Sequence, residues 1–97
     1  MPAYVIAQIE ITDPEGYQDY LAGFMTIFNR HQGRLLVTSS SEVRVVEGEQ
    51  KYPRTVVMEF PDRATAEGWL NDPEYQELSE IRKRTARTNL VVVDGVQ

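Results

Sequence analysis

The side chains best equipped for chemistry are His31 and Glu59, with Tyr17, Trp69 and Tyr75 as candidate walls of a pocket. His31 is the only histidine, so a general base or, were haem bound, an axial ligand would have to be this residue. Its plainer reading is a cap near the end of a helix, where a cation complements the negative pole. One histidine and no cysteine leave little from which to build a dedicated metal site, and none is expected. Glu59 sits between Met58 and Phe60 in an extended segment and should point away from their side. Enclosed there, a carboxylate can hold and release a proton; its plainer reading is an ion pair with Arg44 or Arg54. Tyr17, Trp69 and Tyr75 could bound an aromatic-lined site for a small apolar molecule, or simply be core or dimer contacts. Arg82-Lys83-Arg84 and Arg87 place four of the ten basic residues in six positions. A phosphate patch would use such a run, but so does a solvated helix C-terminus, with Glu80 pairing Arg84 one turn on. The second reading is preferred.

These side chains depend on the elements that carry them. From Tyr4 to Ile11 the chain alternates, with Val5, Ala7, Ile9 and Ile11 on one side and Tyr4, Ile6, Gln8 and Glu10 on the other. The pattern predicts a strand with one apolar and one mixed face. Thr12-Asp13-Pro14-Glu15 then predicts a helix start: Thr12 or Asp13 caps, Pro14 suits the first turn and Glu15 the positive end. Tyr17, Tyr20, Leu21, Phe24, Ile27, Phe28 and His31 form one helical stripe. Gly33 is expected to end it by adopting positive φ.

Extended segments are expected at 34–38, 43–47 and 55–60, with Ser39-Ser40-Ser41-Glu42 either a hairpin turn or a kink in one long strand. Residues 48–53 contain Gly and Pro and predict a reversal. A second helical region starts after Pro61 with Asp62 as cap, breaks at Asp72-Pro73, and resumes with Tyr75, Leu78 and Ile81. Residues 90–93 form an uninterrupted apolar strand. If the serines are a kink, the order is β-α-β-β-α-β: an α+β, ferredoxin-like domain over residues 1–97 with an antiparallel sheet and its helices on one face.

Helices on one face leave the other bare, yet no strand is cleanly polar on either side. Thr55, Val57 and Glu59 oppose Val56, Met58 and Phe60; Val91 and Val93 oppose Leu90 and Val92; Tyr4 and Ile6 oppose Val5 and Ala7. Leaving half a dozen such side chains in water forfeits ~1.5–3 kcal/mol each, on the order of 10 kcal/mol together and comparable to a small domain's whole stability. A two-fold related second copy is the simplest cover, so the expected assembly is a homodimer.

Bulk composition narrows the classes. The chain is 41% apolar and 26% charged with a net charge of −5, a balance that opposes binding to nucleic acid or anionic membrane. No cysteine, no apolar run of membrane-spanning length and no signal-like start make the cytoplasm the expected compartment. Phosphate-cradling Gly loops and nucleophile elbows are not found.

Several stretches, taken in order, resemble a known family. They are Met1-Pro2-Ala3-Tyr4-Val5-Ile6, Asp13-Pro14-Glu15-Gly16-Tyr17, Gly33-Arg34, Val57-Met58-Glu59-Phe60-Pro61, and Trp69-Leu70-Asn71-Asp72-Pro73-Glu74-Tyr75. Together they are similar to the family called domain of unknown function 1330, across almost the whole chain. The resemblance implies the dimeric α+β barrel, in which two ferredoxin-like sheets pack face to face, and it implies no activity. Wider relatives of that barrel include cofactor-free monooxygenases, lactone isomerases and haem-binding enzymes, so fold analogy chooses none of them. Where the family has a short Gly-rich bend, this chain has Ser39-Ser40-Ser41.

Two functional readings follow. One is a binding module for a small apolar ligand, or of unknown role, without cofactor. The other is a cofactor-free enzyme, monooxygenase-like or isomerase-like, acting on a small apolar carbonyl compound with His31 and Glu59 moving protons.

Overall fold

The computed structural model describes residues 1–96. Its elements are β1 (Ala3–Ile11), α1 (Pro14–Arg30), β2 (Arg34–Val37), β3 (Arg54–Phe60), α2 (Arg63–Leu70), α3 (Pro73–Thr85) and β4 (Ala86–Asp94). The sheet runs β2-β3-β1-β4 with every pair antiparallel, the ferredoxin-like α+β plan. Central β1 places Val5 between Met58 and Val92, and Ala7 between Val56 and Leu90. That register collects the apolar alternates of three strands on one side, under the helices.

Each helix starts where capping chemistry dictates. The Asp13 carboxylate accepts the Gly16 N–H, Asp62 accepts that of Thr65, and Asp72 that of Glu74, while Pro14 and Pro73 stand in first turns that need no donor. The entry to α1 also leans on the end of α3, where the Thr85 carbonyl accepts the Thr12 and Asp13 N–H groups at 2.8 and 3.0 Å. The α1 stripe buries Tyr17, Tyr20, Phe24, Ile27 and Phe28. Phe24, Phe28, Phe60 and Trp69 interlock with ring centroids 5.0–5.8 Å apart, and Trp69 meets Tyr75 at 4.2 Å.

Several details depart from the sequence expectations. Residues 43–47 form no strand, and Val45 and Val46 stand 52% and 81% exposed. The serine run is a turn without a returning strand: Ser41 N–H donates to the Thr38 carbonyl, and the Ser41 hydroxyl accepts the Thr38 N–H. Side-chain hydroxyls have taken over backbone groups that a ladder would have used. β2 is also interrupted, its register shifting between Leu35 and Val37. The end of α1 differs too. Positive φ falls on Gln32, at 59°, whereas Gly33 is needed for space, since a Cβ there would lie 2.4 Å from the Phe28 ring. Finally, β4 begins at Ala86, four residues before its apolar run.

The opposite sheet face carries Tyr4, Ile6, Val57, Val91 and Val93 by the strand alternation. Among the described residues no helix covers it, and Val91 and Val93 are 52% and 44% exposed. Among the described residues, no helix is long and apolar enough to cross a membrane.

Candidate functional site

A cavity of about 80 Å³ lies between the helices and the sheet. Its floor comes from alternate residues of the strands, Ala7 and Ile9, Val56 and Met58, Thr88 and Leu90. Its roof is Tyr17, Tyr20, Leu21 and Phe24 of α1 with Tyr75 and Arg82 of α3, while Leu35, Thr38 and Ser39 lie at the β2 side. Leu21 is 40% exposed and marks an opening to solvent.

The apolar lining is interrupted by a few polar groups. The Tyr20 and Tyr75 hydroxyls share a buried hydrogen bond of 2.8 Å, across the seam of α1 and α3. The Arg82 guanidinium lies over the Tyr20 ring, 5.9 Å from its centre. Burial opposes the charge on Arg82, but the phenols of Tyr75 and Tyr20 outweigh it and hold the proton more firmly than usual. Burial first, and then the Tyr75 phenol, raise the ionisation of Tyr20 well above the ordinary tyrosine range. Tyr17 is raised as well, chiefly by burial. Both therefore stay neutral at any physiological pH. Thr88 adds a buried hydroxyl with no hydrogen-bond partner among the described residues.

The sequence-chosen residues divide around this cavity. Tyr17 and Tyr75 line it; Trp69 lies behind Tyr75, wholly buried in the aromatic core, and its indole N–H has no partner among the described residues. His31 and Glu59 are not in the lining, nor are they brought together. His31 caps α1, and its Nε2 lies 2.7 Å from an Asp72 carboxylate oxygen. The other Asp72 oxygen accepts the Glu74 N–H. The hydrogen bonds from His31 and then from that N–H hold the Asp72 carboxyl below its usual range. Beside this contact Arg30 grips Glu74 with two hydrogen bonds of 3.1 and 2.8 Å, so the end of α1 is tied to the start of α3.

Glu59 lies on the bare sheet face, by an open depression shared with Pro2, Gln32 and Arg34. Its ion-pair partner is Arg34 at 3.4 Å, the residue opposite on β2, and not Arg44 or Arg54. The other oxygen accepts the Tyr4 hydroxyl at 3.2 Å. Arg54 instead donates to the Ser39 carbonyl at 2.7 Å. Among the described residues no cluster of three His, Asp or Glu side chains comes together.

Tyr20, Arg82 and Thr88 are among the lining residues that the sequence did not assign to the pocket. Arg82 had a signal, since it falls seven residues after Tyr75 and four after Leu78, on the same helix face. Only its basic neighbours made it look like part of a solvated run. Nor does Glu80 pair with Arg84; its contact is Lys83, at 3.8 Å.

The family model described as Domain of unknown function (DUF1330) matches residues 2–96. Among solved structures, a protein of unknown function from Rhodopseudomonas palustris is similar at a TM-score of 0.76 and 17% identity, over 99% of this chain and 83% of that one. A dimeric ferredoxin-like protein of unknown function from Jannaschia sp. CCS1 gives 0.65 and 13%, over 98% and 100%. SnoaB, a cofactor-independent oxygenase from Streptomyces nogalater, gives 0.65 and 12%, over 99% and 94%. Likeness at these identities is a likeness of fold. No curated relative matches the chain.

Proposed function

The chain belongs to the family described as Domain of unknown function (DUF1330), and from that footing we propose that it is a homodimeric binding protein for a small apolar ligand, taken up between α1, α3 and the sheet. The observation that carries this reading is the cavity itself: a mostly apolar, pre-formed space with a few convergent polar groups, the usual anatomy of a small-molecule site. In this reading His31 and Glu59 serve the fold. One joins α1 to α3 through Asp72, and the other joins β2 to β3 and β1 through Arg34 and Tyr4. Tyr17 and Tyr75 bear on the ligand, and Trp69 supports Tyr75 from behind.

A thermal-shift screen of short-chain apolar compounds, small lactones among them, tests the site. Compounds that stabilise the protein should lose that effect in Leu21→Trp, which crowds the cavity from its half-exposed side. Stabilisation that survives this change places the ligand elsewhere.

Support for the homodimer comes from the uncovered sheet face and from the likeness to a ferredoxin-like protein that is itself dimeric. Sedimentation should give twice the chain mass, and Val91→Asp should reduce it to one copy, because a charge buried without a partner in a sheet-to-sheet contact is strongly opposed. A wild-type chain that sediments as one copy at high concentration overturns the assembly.

A further inference from the structure

We infer that the ligand of this cavity carries a carboxylate, bound by Arg82 with help from the Thr88 hydroxyl; the inference rests on the cavity reading above. Arg82 reaches a largely apolar space from the last turns of α3 and is only partly open to solvent. Among the described residues it lacks the carboxylate within 4.0 Å that Arg30, Arg34, Arg63 and Arg87 have; Arg44, Arg54 and Arg84 lack one too, but they stand exposed to water, whereas Arg82 is half-buried in the cavity wall. Its nearest polar company is neutral, namely the phenols of Tyr20 and Tyr75, whose ionisation is suppressed at Tyr20 and which therefore cannot cancel the charge.

The two phenols offset the desolvation of this guanidinium but bring no negative charge to neutralise it, so it stays open to an anion. Its planar fork of donors matches a carboxylate in two parallel hydrogen bonds. Thr88 adds the second, independent observation. Its hydroxyl is buried on the cavity floor with no partner, so it too has a hydrogen bond to give. Helix capping accounts for a cation at the end of α3, but not for its turning over Tyr20, and it leaves the Thr88 hydroxyl unexplained. Because the protein is net negative, at −5, its overall field repels anions. Recognition must then come from this one local charge.

Size limits the rest of the molecule. At about 80 Å³ the cavity is roughly half the ~150 Å³ that accommodates benzene, so it suits a short chain. The ligand is thus a small carboxylic acid with its apolar part over Ala7 and Val56 and its head toward Arg82 and Thr88.

The test compares butanoate with butanamide, its neutral isostere, by titration calorimetry and amide chemical-shift perturbation on the wild-type dimer, with Leu21→Trp alongside. Butanoate should bind at least tenfold more tightly than butanamide, with shifts around Tyr75 and Thr88. Arg82→Gln should abolish the preference, so that the variant binds butanoate no more tightly than butanamide. Equal wild-type affinities that both fall in Leu21→Trp overturn the carboxylate assignment and leave the cavity reading standing. Absence of binding by either compound overturns both. The wild-type comparison needs no variant, so a poorly folded Arg82→Gln does not spare the proposal.

Discussion

The hydroxyls of Tyr20 and Tyr75, 55 residues apart in sequence, meet at 2.8 Å in a buried contact between α1 and α3. Each phenol would otherwise be an unsatisfied polar group in a low-dielectric setting, so the contact sets how the two helices face one another. It also sets the character of the cavity roof, which is polar enough to accept a hydrogen bond yet neutral. The adjacent cation of Arg82 therefore lies against phenols that carry no charge.

Alkaline stability should report on this pair. Folding raises the ionisation of Tyr20 above its unfolded value of about 10, mainly by burial. The folded chain then keeps a proton that the unfolded chain gives up, and stability is complete below about pH 10 and falls as pH rises beyond it. Tyr20→Phe removes this residue's share of the dependence, the raised Tyr17 and Tyr4 being common to both proteins, and at pH 8 it should cost about 1 kcal/mol through the lost hydrogen bond. In urea titrations followed by Trp69 fluorescence, the gap between wild type and variant should shrink as pH rises from 8 to 11. Parallel curves would contradict the burial of that phenol.

The same pair shows how far sequence reasoning reaches. Tyr17 and Tyr75 were legible as inward-facing residues because helical spacing alone puts them there, and both line the cavity. Whether an inward face meets a cavity or packed core depends on how neighbouring layers fill space, and Trp69 went to the core. The fold was legible in its caps, its α1 stripe and its strand alternation. Residues 43–47 misled because a β-like composition states a preference without supplying a partner strand. An ion pair was one of the two readings of Glu59, with Arg44 or Arg54 as its partner; the identity of Arg34 requires the β2–β3 register, which no local pattern reveals.

Acid should weaken the tie between α1 and α3. The His31 contact, with the Glu74 N–H, lowers the Asp72 ionisation in the folded chain. Its contribution is present above the unfolded value of about 3.9 and is lost as pH falls through the lower folded value. Asp72→Asn keeps a capping oxygen without the charge. It should melt earlier than wild type at pH 6, and the difference should narrow steadily between about pH 4 and pH 2. Glu74 and Asp62 are also lowered, but they are common to both proteins and cancel in the comparison. A difference that stays constant with pH would mean that the carboxylate charge plays no part. Ligand affinity should be untouched, because neither Asp72 nor His31 lines the cavity.

The turn after α1 separates two reasons for glycine. Gly33 has no room for a methyl group, because the Phe28 ring it faces is wholly buried and cannot retreat. Gly33→Ala should therefore cost about 1–3 kcal/mol, the usual range for overpacking. Gln32 has the left-handed backbone instead, with φ of 59°. Gln32→Gly should be neutral or stabilising by up to about 0.5 kcal/mol, relief of the backbone being offset by the greater freedom of glycine in the unfolded chain. Urea midpoints of the two variants decide the matter. Were Gly33→Ala harmless, the close approach of Phe28 to the turn would be wrong, and with it the packing that closes α1 against β2.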